Sequence, residues 1–368
     1  MIATLMIAAA LSVRILSPTV DSYVSGSTLL HAQVEPAAAA VVVSFFVDGR
    51  QVCTIARAPY ECDWYAGRAI VEHRIRVVAA GADGTEARAF ATISTKGIGF
   101  AESVDVDLVE VTVTVTDGGT KYVTGLPRNA FRVFEDGRAQ TITHFASENV
   151  ALELVLAVDI SGSMRDSMPK MKTAVKEFLT AVSSHDRVTL LGFNDTIFPL
   201  ARKATDPGER VMAVDRLACW GDTALYDVIV TGINLLGRET GRKAMVVFTD
   251  GEDMGSHTSL ADIERRLEAS GVTLYVIGEG RALKIEALRE RMDRLARSTG
   301  GRAIVTEKID DLRSAFAELL DELSHQYLLG YTPTNTARDG TLRQLKVEVE
   351  GRHRIRAREA YRAPSTHR

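Results

Sequence analysis

The stretch LELVLAVDISGSM, residues 152–164, decides the fold of the larger part of this chain. Its first seven residues are almost all apolar, as in a strand that is buried on both faces of a sheet. Further buried-strand candidates follow at 187–193, 244–249 and 272–277. Strands of this kind, separated by amphipathic helices, predict a Rossmann-like α/β domain with a mostly parallel central sheet and helices on both faces.

The segments between these strands repeat apolar residues every three or four positions, which predicts helices with one buried face. We expect these stripes to pack in the core and not to hold a cofactor. The stripes are Met171, Val175, Phe178, Leu179 and Val182; Leu225, Val228, Ile229, Ile233 and Leu236; Leu260, Ile263 and Leu267; Ile285, Leu288, Met292 and Leu295; and Leu312, Phe316, Leu319 and Leu323.

Oxygen-bearing side chains stand where the predicted strands end. The first strand runs into Asp159, Ser161 and Ser163, while Thr223 opens a predicted helix and Asp250 follows the strand 244–249. The carboxyl ends of parallel strands share one edge of the sheet, where open α/β sheets bind ligands. Carboxylate and hydroxyl oxygens are hard ligands that suit Mg²⁺. The sequence therefore predicts that these five side chains hold Mg²⁺, with Mn²⁺ or Ca²⁺ as alternatives.

The pattern D-x-S-x-S at 159–163, followed by Thr223 and Asp250, resembles the metal-ion-dependent adhesion site (MIDAS) of the von Willebrand factor type A (VWFA) family. The resemblance covers about residues 150–325, and all five positions match. It implies that the two serines bind the ion directly. It also implies that the threonine and the two aspartates bind it directly or through water.

Five protein oxygens, some of them acting through water, would leave an exchangeable position on an ion that prefers six ligands. Only two carboxylates would offset its charge, so it would attract an outside anion. We expect recognition of a protein partner that offers a Glu or Asp carboxylate. The alternative is a structural or accessory subunit that scaffolds an envelope or enzyme assembly. A simpler reading makes Ser161 a helix cap and Asp159 a turn carboxylate, without an ion.

Enzymatic readings find less support. Ser161 or Ser163 as a nucleophile would need a positioned base, and His144, His185 and His257 are candidates only by their presence. The chain has no P-loop lysine motif, and the glycines at 278 and 280 lack the third glycine of a dinucleotide loop. We expect no enzymatic activity and no catalytic residue.

Residues 14–97 read as all-β, with strand candidates at 41–47, 51–55, 73–79 and 87–94 and no helical period. Short strands at near-regular spacing predict a β-sandwich. The sequence Val47-Asp-Gly-Arg50, then Pro59-Tyr60, Trp64 and the run 72–77 resembles bacterial immunoglobulin-like domains.

Three cysteines allow two readings of the redox environment. Cys53 and Cys62 bracket a segment short enough for a hairpin loop, so they can form a disulfide across neighbouring strands or stay reduced and buried. We expect Cys219 to be a small buried residue and not a nucleophile.

Two β segments flank the α/β domain, at 104–149 and 326–363. Val109, Val111, Val113 and Val115 alternate with polar residues, so one face of their strand should be buried. Neither segment could form a good core alone, and we expect the two to pair. The runs VTGL at 123–126, FRVFEDG at 131–137 and QYLLGY at 326–331, with the adhesion-site pattern, resemble the acidobacterial-type VWFA-related proteins of bacteria.

The apolar residues 1–13 fit the core of a secretory signal, although they carry no basic residue. A cropped gene start or a buried strand are the alternatives. With the cysteines, this segment predicts a secreted, periplasmic or cell-envelope protein that has no other membrane span. The net charge of −4 and pI of about 6.1 give no case for nucleic acid or an anionic membrane. The arginines between 352 and 362 alternate with apolar residues, which predicts that they lie on the solvent-exposed face of a strand.

Overall fold

The computed structural model describes residues 11–18, 27–36, 41–66, 70–81, 86–96, 108–119, 121–147, 150–237, 239, 241–250, 253–279, 285–306 and 311–365. The chain divides into two compact units. The first contains residues up to 99 together with 196–198, and the second contains the remainder.

The first unit is a β-sandwich, as predicted. One sheet has the strand order β1-β2-β5 and the other β4-β3-β6-β7, and their inner faces share a core that includes Leu30, Val43, Phe45, Ile75 and Val77. Alternation of apolar and polar residues fixes which face of each strand is buried. The strands are β1 (Ser12–Ser17), β2 (Ser27–Glu35), β3 (Val41–Val47), β4 (Arg50–Ile55), β5 (Tyr60–Tyr65), β6 (Ile70–Gly81) and β7 (Glu86–Lys96).

The first strand begins inside the segment that was predicted to be a leader. Ser12 and Val13 pair with Glu35 and Val34 of β2. Val13 is buried in the sandwich core, and this apolar contact explains why it belongs to the strand. Residues 1–10 of the predicted leader lie outside the described part of the chain.

Cys53 and Cys62 form a disulfide with their Cα atoms 6.7 Å apart. The strands that carry them are not hairpin partners, however. Cys53 lies in β4 and Cys62 in β5, and these strands belong to different sheets. The expected cross-strand pair is therefore a link between the two sheets, because the connection at 56–59 carries the chain from one sheet to the other.

The second unit contains the α/β domain. Its six-stranded sheet has the order β14-β13-β12-β15-β16-β17, and the registers from β13 to β17 are parallel, as predicted. The strands are β12 (Leu152–Asp159), β13 (Arg187–Phe193), β14 (Ile197–Ala204), β15 (Arg242–Thr249), β16 (Thr273–Glu279) and β17 (Ala303–Thr306).

The helices form two contacting groups, α1, α2 and α6 in one and α3, α4 and α5 in the other. They are α1 (Met168–Ala181), α2 (Pro207–Asp215), α3 (Leu225–Leu236), α4 (Leu260–Ala269), α5 (Glu286–Ser298) and α6 (Leu312–Ser324). The predicted apolar stripes are buried with few exceptions, of which Ile285 is the most exposed because it precedes the first turn of α5. Among the described residues, no helix has the length and apolar character needed to cross a bilayer.

A second β-sandwich flanks the α/β domain within the same unit. Its two sheets have the orders β10-β9-β19-β21 and β11-β18-β8-β20. Val113 of β8 pairs with Tyr327 of β18, and Val133 of β9 pairs with Val347 of β19, so the two flanking segments pair as expected. The strands are β8 (Val109–Thr116), β9 (Phe131–Glu135), β10 (Arg138–Gln140), β11 (Ile142–Ser147), β18 (Gln326–Tyr331), β19 (Leu342–Val349), β20 (Arg354–Arg356) and β21 (Ala360–Arg362).

A buried carboxylate organises the core of this second sandwich. Glu135 is 2% exposed and accepts hydrogen bonds from the hydroxyls of Tyr331 and Tyr361, each at 2.8 Å, and from Arg343 at 3.2 Å. Burial raises the pKa of both tyrosines, and Glu135 acts in the same direction, so both hydroxyls keep their protons and donate. The charge of Glu135 is thus satisfied by three donors from separate strands or loops.

Arg352 and Arg354 are exposed as expected, but three later arginines correct the expectation of a solvent-facing strand face. The guanidinium of Arg358 is buried and donates to the carbonyl of Ser270, just after α4, at 2.6 Å. Arg362 forms an ion pair with Glu268 at 2.6 Å, and Arg356 pairs with the buried Glu322. These long side chains fasten the sandwich to the α/β domain, because their heads find carbonyl and carboxylate partners there.

The turn between α2 and α3 requires a glycine. Gly221 has φ +73°, and a Cβ built on it would lie 2.9 Å from Oδ1 of Asp195 and 3.0 Å from Nδ2 of Asn194. Its carbonyl accepts a hydrogen bond from the Gly162 amide at 3.0 Å. The turn therefore packs closely on the end of β13 and on the loop that follows β12.

We expect Glu135→Ala to lower the free energy of unfolding of the second unit by about 3–5 kcal/mol, because Arg343 would keep a buried charge without its partner. Denaturant unfolding followed by circular dichroism measures the change. Glu348→Ala is the control, since it removes an exposed carboxylate that pairs with Lys346, and it should change stability little. Equal effects of the two substitutions would contradict the role given to Glu135.

We expect Gly221→Ala to destabilise the second unit by more than the ~1–2 kcal/mol that a positive φ costs an L-residue, because its Cβ also meets the end of β13. Gly118→Ala separates the two causes: Gly118 has φ +90°, and nothing lies within 4 Å of its built Cβ. Denaturant unfolding of both variants gives the difference. The steric argument fails if Gly118→Ala is as destabilising as Gly221→Ala.

Candidate metal centre

Two neighbouring parallel strands carry the candidate carboxylates to one edge of the sheet. Val158 of β12 pairs with Phe248 of β15, so Asp159 and Thr249 end their strands side by side. Asp250 follows Thr249 directly. Asp159 has no solvent exposure, and Asp250 is 8% exposed. Asp159 and Asp250 therefore lie at the same edge of the sheet, as the positions of the two strand ends predicted.

Both carboxylate oxygens of Asp159 accept hydrogen bonds. The amide of Ser161 donates to Oδ1 at 2.8 Å, and the hydroxyl of Thr249 donates to Oδ2 at 2.6 Å. Sequence reasoning did not identify Thr249, although its hydroxyl stands at the end of a predicted strand immediately before Asp250. Thr249 acts on the site through Asp159, whose orientation it fixes.

A chain of hydrogen bonds joins the remaining oxygens of the adhesion-site pattern. The hydroxyls of Ser161 and Ser163 lie 3.0 Å apart, and Ser163 donates to Oδ1 of Asp250 at 2.9 Å. Ser163 faces solvent, whereas Ser161 is 2% exposed. Four of the five predicted side chains therefore converge between the two strand ends.

Thr223 lies on a turn that backbone hydrogen bonds join to the loop after Asp250. Its carbonyl accepts hydrogen bonds from the amides of Met254 at 2.9 Å and Gly255 at 3.0 Å. The neighbouring Ala224 amide donates to the carbonyl of Asn194 at 2.8 Å. The loop that carries Thr223 thus lies against both the end of β13 and the loop after Asp250, and the threonine is 5% exposed.

Burial of a carboxylate dominates the electrostatics of the site. Burial raises the pKa of Asp159 to about 6, and the Asp250 carboxylate acts in the same direction. Hydrogen bonds from Ser161 and Thr249 oppose this change. Glu279, at the end of β16, also has its pKa raised by burial and by Asp250. This edge of the sheet accumulates negative charge.

The donor set fits a hard divalent cation and no softer metal. Two carboxylates and three hydroxyls are oxygen ligands of the kind that Mg²⁺, Mn²⁺ and Ca²⁺ accept. Within the described residues, no group of three or more His, Cys, Asp or Glu side chains could hold a metal. Any ion at this site would therefore depend on the hydroxyls of Ser161, Ser163 and Thr223 as well as on the acids.

Cys219, near the site, is half-buried, whereas the sequence predicted a buried residue. Burial raises the pKa of its thiol, and the charge of Asp159 acts in the same direction.

A hydrogen bond that the sequence did not predict joins two loops near the site. Ser167, just before α1, donates to Glu279 at 3.1 Å and connects the end of β16 to the loop that carries the serines. No local sequence pattern predicts this hydrogen bond, because the two residues are 112 positions apart.

The three histidines considered as possible bases contact other residues. His144 lies 3.0 Å from the hydroxyl of Thr143, His185 lies 3.3 Å from that of Ser183, and His257 lies 3.2 Å from the carboxylate of Asp227.

Comparison with known proteins agrees with this architecture. Residues 153–318 match the family model of the von Willebrand factor type A domain, and residues 12–86 match that of a bacterial Ig domain. No curated protein matches the chain.

Three similar solved structures share 10–19% identity with this chain. The conserved hypothetical protein BatB from Bacteroides thetaiotaomicron is 16% identical and has a TM-score of 0.39, with 46% of this chain and 97% of that chain covered. An aerotolerance-related membrane protein from Bacteroides fragilis is 19% identical, with a TM-score of 0.39 and coverage of 47% and 98%. The domain of a type V pili tip protein from Porphyromonas gingivalis is 10% identical, with a TM-score of 0.38 and coverage of 46% and 94%.

The sheet order, the strand-end site and the two family models point to the same assignment. The chain contains a von Willebrand factor type A domain, and a bacterial Ig-like domain precedes it.

Proposed function

We propose that Asp159, Ser161, Ser163, Thr223 and Asp250 hold a divalent cation, Mg²⁺ foremost, through which the protein binds a partner's Glu or Asp carboxylate. The observation that carries this proposal is the hydrogen-bonded chain of oxygens that runs from Ser161 through Ser163 to Asp250, beside the buried Asp159. Von Willebrand factor A domains commonly bind a divalent metal in this way and are generally interaction domains without enzymatic activity.

Asp159 and Ser163 have different roles in this function. Asp159 is buried, and the hydroxyl of Thr249 fixes its orientation. Its negative charge would hold the ion at the edge of the sheet. Ser163, which faces solvent, lies on the side from which a partner would approach. The bound ion supplies a Lewis-acidic position for the incoming carboxylate. The carboxylates of Asp159 and Asp250 would balance the charge of +2, and the incoming carboxylate would take an exchangeable coordination position on the ion.

We place this activity outside the cell or in the cell envelope. The disulfide between Cys53 and Cys62 supports that location, because disulfides persist in oxidising compartments and are rare in the cytosol.

The same hydrogen bonds also allow a second function, that of a scaffold subunit that binds its partner without an ion. Ser163 already donates to Asp250, and Ser161 already contacts Ser163, so the loops hold together through their own hydrogen bonds. In that case the same domain would present its loops to a structural or enzymatic assembly in a metal-independent way.

Titration of Mg²⁺ into the chain by isothermal calorimetry tests the ion site. We expect Asp159→Ala to weaken binding by at least ~100-fold, since loss of a supporting residue alone costs about 10–100-fold. Asp215→Ala is the matched control, because Asp215 is an exposed aspartate that pairs with Lys176 at the end of α2, and it should bind as the wild type does. Equal affinity of wild type and Asp159→Ala would refute the site.

Capture of envelope proteins on the immobilised chain separates the two functions. We expect a chelator to release the specifically bound protein, and Asp159→Ala to fail to capture it, because the ion would carry the contact. Capture that survives both the chelator and the substitution would establish the scaffold instead.

A further inference from the structure

Two of the most exposed apolar side chains in the second unit stand on the loops of the metal centre. Trp220 is 46% exposed and Met254 is 70% exposed. Single exposed apolar residues are ordinary on protein surfaces. These two are unusual in their position, since each is adjacent to backbone that builds the candidate site.

Backbone hydrogen bonds fix Trp220 against the loop of the serines. Its amide donates to the carbonyl of Ile160 at 2.9 Å, between Asp159 and Ser161 in sequence. Its carbonyl accepts from Nδ2 of Asn194 at 2.9 Å. The next residue, Gly221, accepts from the Gly162 amide. The indole is therefore carried by a rigid turn on the β13 side of Asp159.

Met254 is fixed on the loop that follows Asp250. Its amide donates to the carbonyl of Thr223 at 2.9 Å, four residues after Asp250 in sequence. The preceding residue, Asp253, accepts hydrogen bonds from the Tyr226 amide at 3.2 Å and from Ser256 at 2.5 Å. Met254 thus stands on an anchored loop that follows β15 and is hydrogen-bonded to the turn that carries Trp220.

The charges around the site limit what can approach it. Asp195 and Asp222 lie close enough for Asp222 to raise the pKa of Asp195, after the larger effect of burial, and Glu279 lies near Asp250. A partner with a run of acidic residues would meet like charges beyond the ion. A partner with one acid next to apolar side chains would meet the ion and, on the adjoining loops, Trp220 and Met254.

We infer that Trp220 and Met254 form an apolar rim that selects partner segments in which a single acidic residue is flanked by aromatic or aliphatic side chains. This inference rests on the proposed function. Tryptophan is among the residues that dominate binding energy at interfaces, and methionine is enriched there and adapts its shape to its partner. Because both residues are held by their backbones, little order is lost on binding.

Fluorescein-labelled, capped peptides probe the rim directly: Gly-Phe-Glu-Phe-Gly, Gly-Ser-Glu-Ser-Gly, Gly-Glu-Glu-Glu-Gly and Gly-Phe-Gln-Phe-Gly. Fluorescence anisotropy with Mg²⁺ should rank the first peptide at least ~5-fold above the second and third, and the glutamine peptide should not bind. The chain has two tryptophans, so Trp64→Phe leaves Trp220 as the sole reporter. Its emission should shift to the blue when unlabelled Gly-Phe-Glu-Phe-Gly binds.

Three variants then assign the effect to the rim. Trp220→Ala and Met254→Ala should each weaken binding of Gly-Phe-Glu-Phe-Gly by ~5-fold or more and leave Mg²⁺ affinity unchanged, because neither belongs to the ion site. Met212→Ala is the matched control, a methionine of α2 that is 66% exposed, and it should have no effect.

The inference and the proposed function fail separately. Absence of Mg²⁺ binding would remove the proposed function and the rim with it. Mg²⁺-dependent binding of glutamate peptides with equal affinities for all three acidic sequences would keep the proposed function and overturn the rim. Equal losses in Met212→Ala and Met254→Ala would overturn it as well.

Discussion

The second unit depends on the burial of one carboxylate at the end of a central strand. Asp159 has no solvent exposure, and a charge taken out of water must be met by donors or by a counter-ion. The protein supplies a hydrogen bond from an amide and one from a hydroxyl to this carboxylate. Backbone hydrogen bonds join the loop after β12, the turn that carries Thr223 and the end of β13, and Ser163 joins the first of these to Asp250.

Much of this arrangement follows from sequence pattern. The buried strand at 187–193 has its predicted limits, and β12 and β15 differ by one or two residues, because an apolar run bounded by polar loops has few alternatives. The alternation of Val109 to Val115 correctly gave the buried face of β8. The proximity of Asp159 and Asp250 was predictable, because parallel strands bring their carboxyl ends to one edge of the sheet.

Other features could not be read from local pattern. The strands β14 and β17 and the helix α2 are short or weakly periodic, and their place is set by packing. The inter-sheet placement of Cys53 and Cys62 depends on where the chain crosses between sheets. Arg358 has the alternation of a solvent-facing residue, yet it is buried because carbonyls of another element lie within its reach. Contacts between distant segments, such as Ser167 with Glu279, have no periodic signature at all.

The α/β domain is an insertion between two strands that pair with each other. Ser147 of β11 lies opposite Tyr327 of β18, so the chain leaves and re-enters the sandwich at neighbouring positions. A pulling force applied at residues 109 and 365 would enter the sandwich through β8, which pairs with β18 and β20, and through β21, which pairs with β19. The candidate metal centre lies in the loops of the inserted domain and not in these strands. Under tension, the loops of the inserted domain could keep their geometry until the sandwich unfolds.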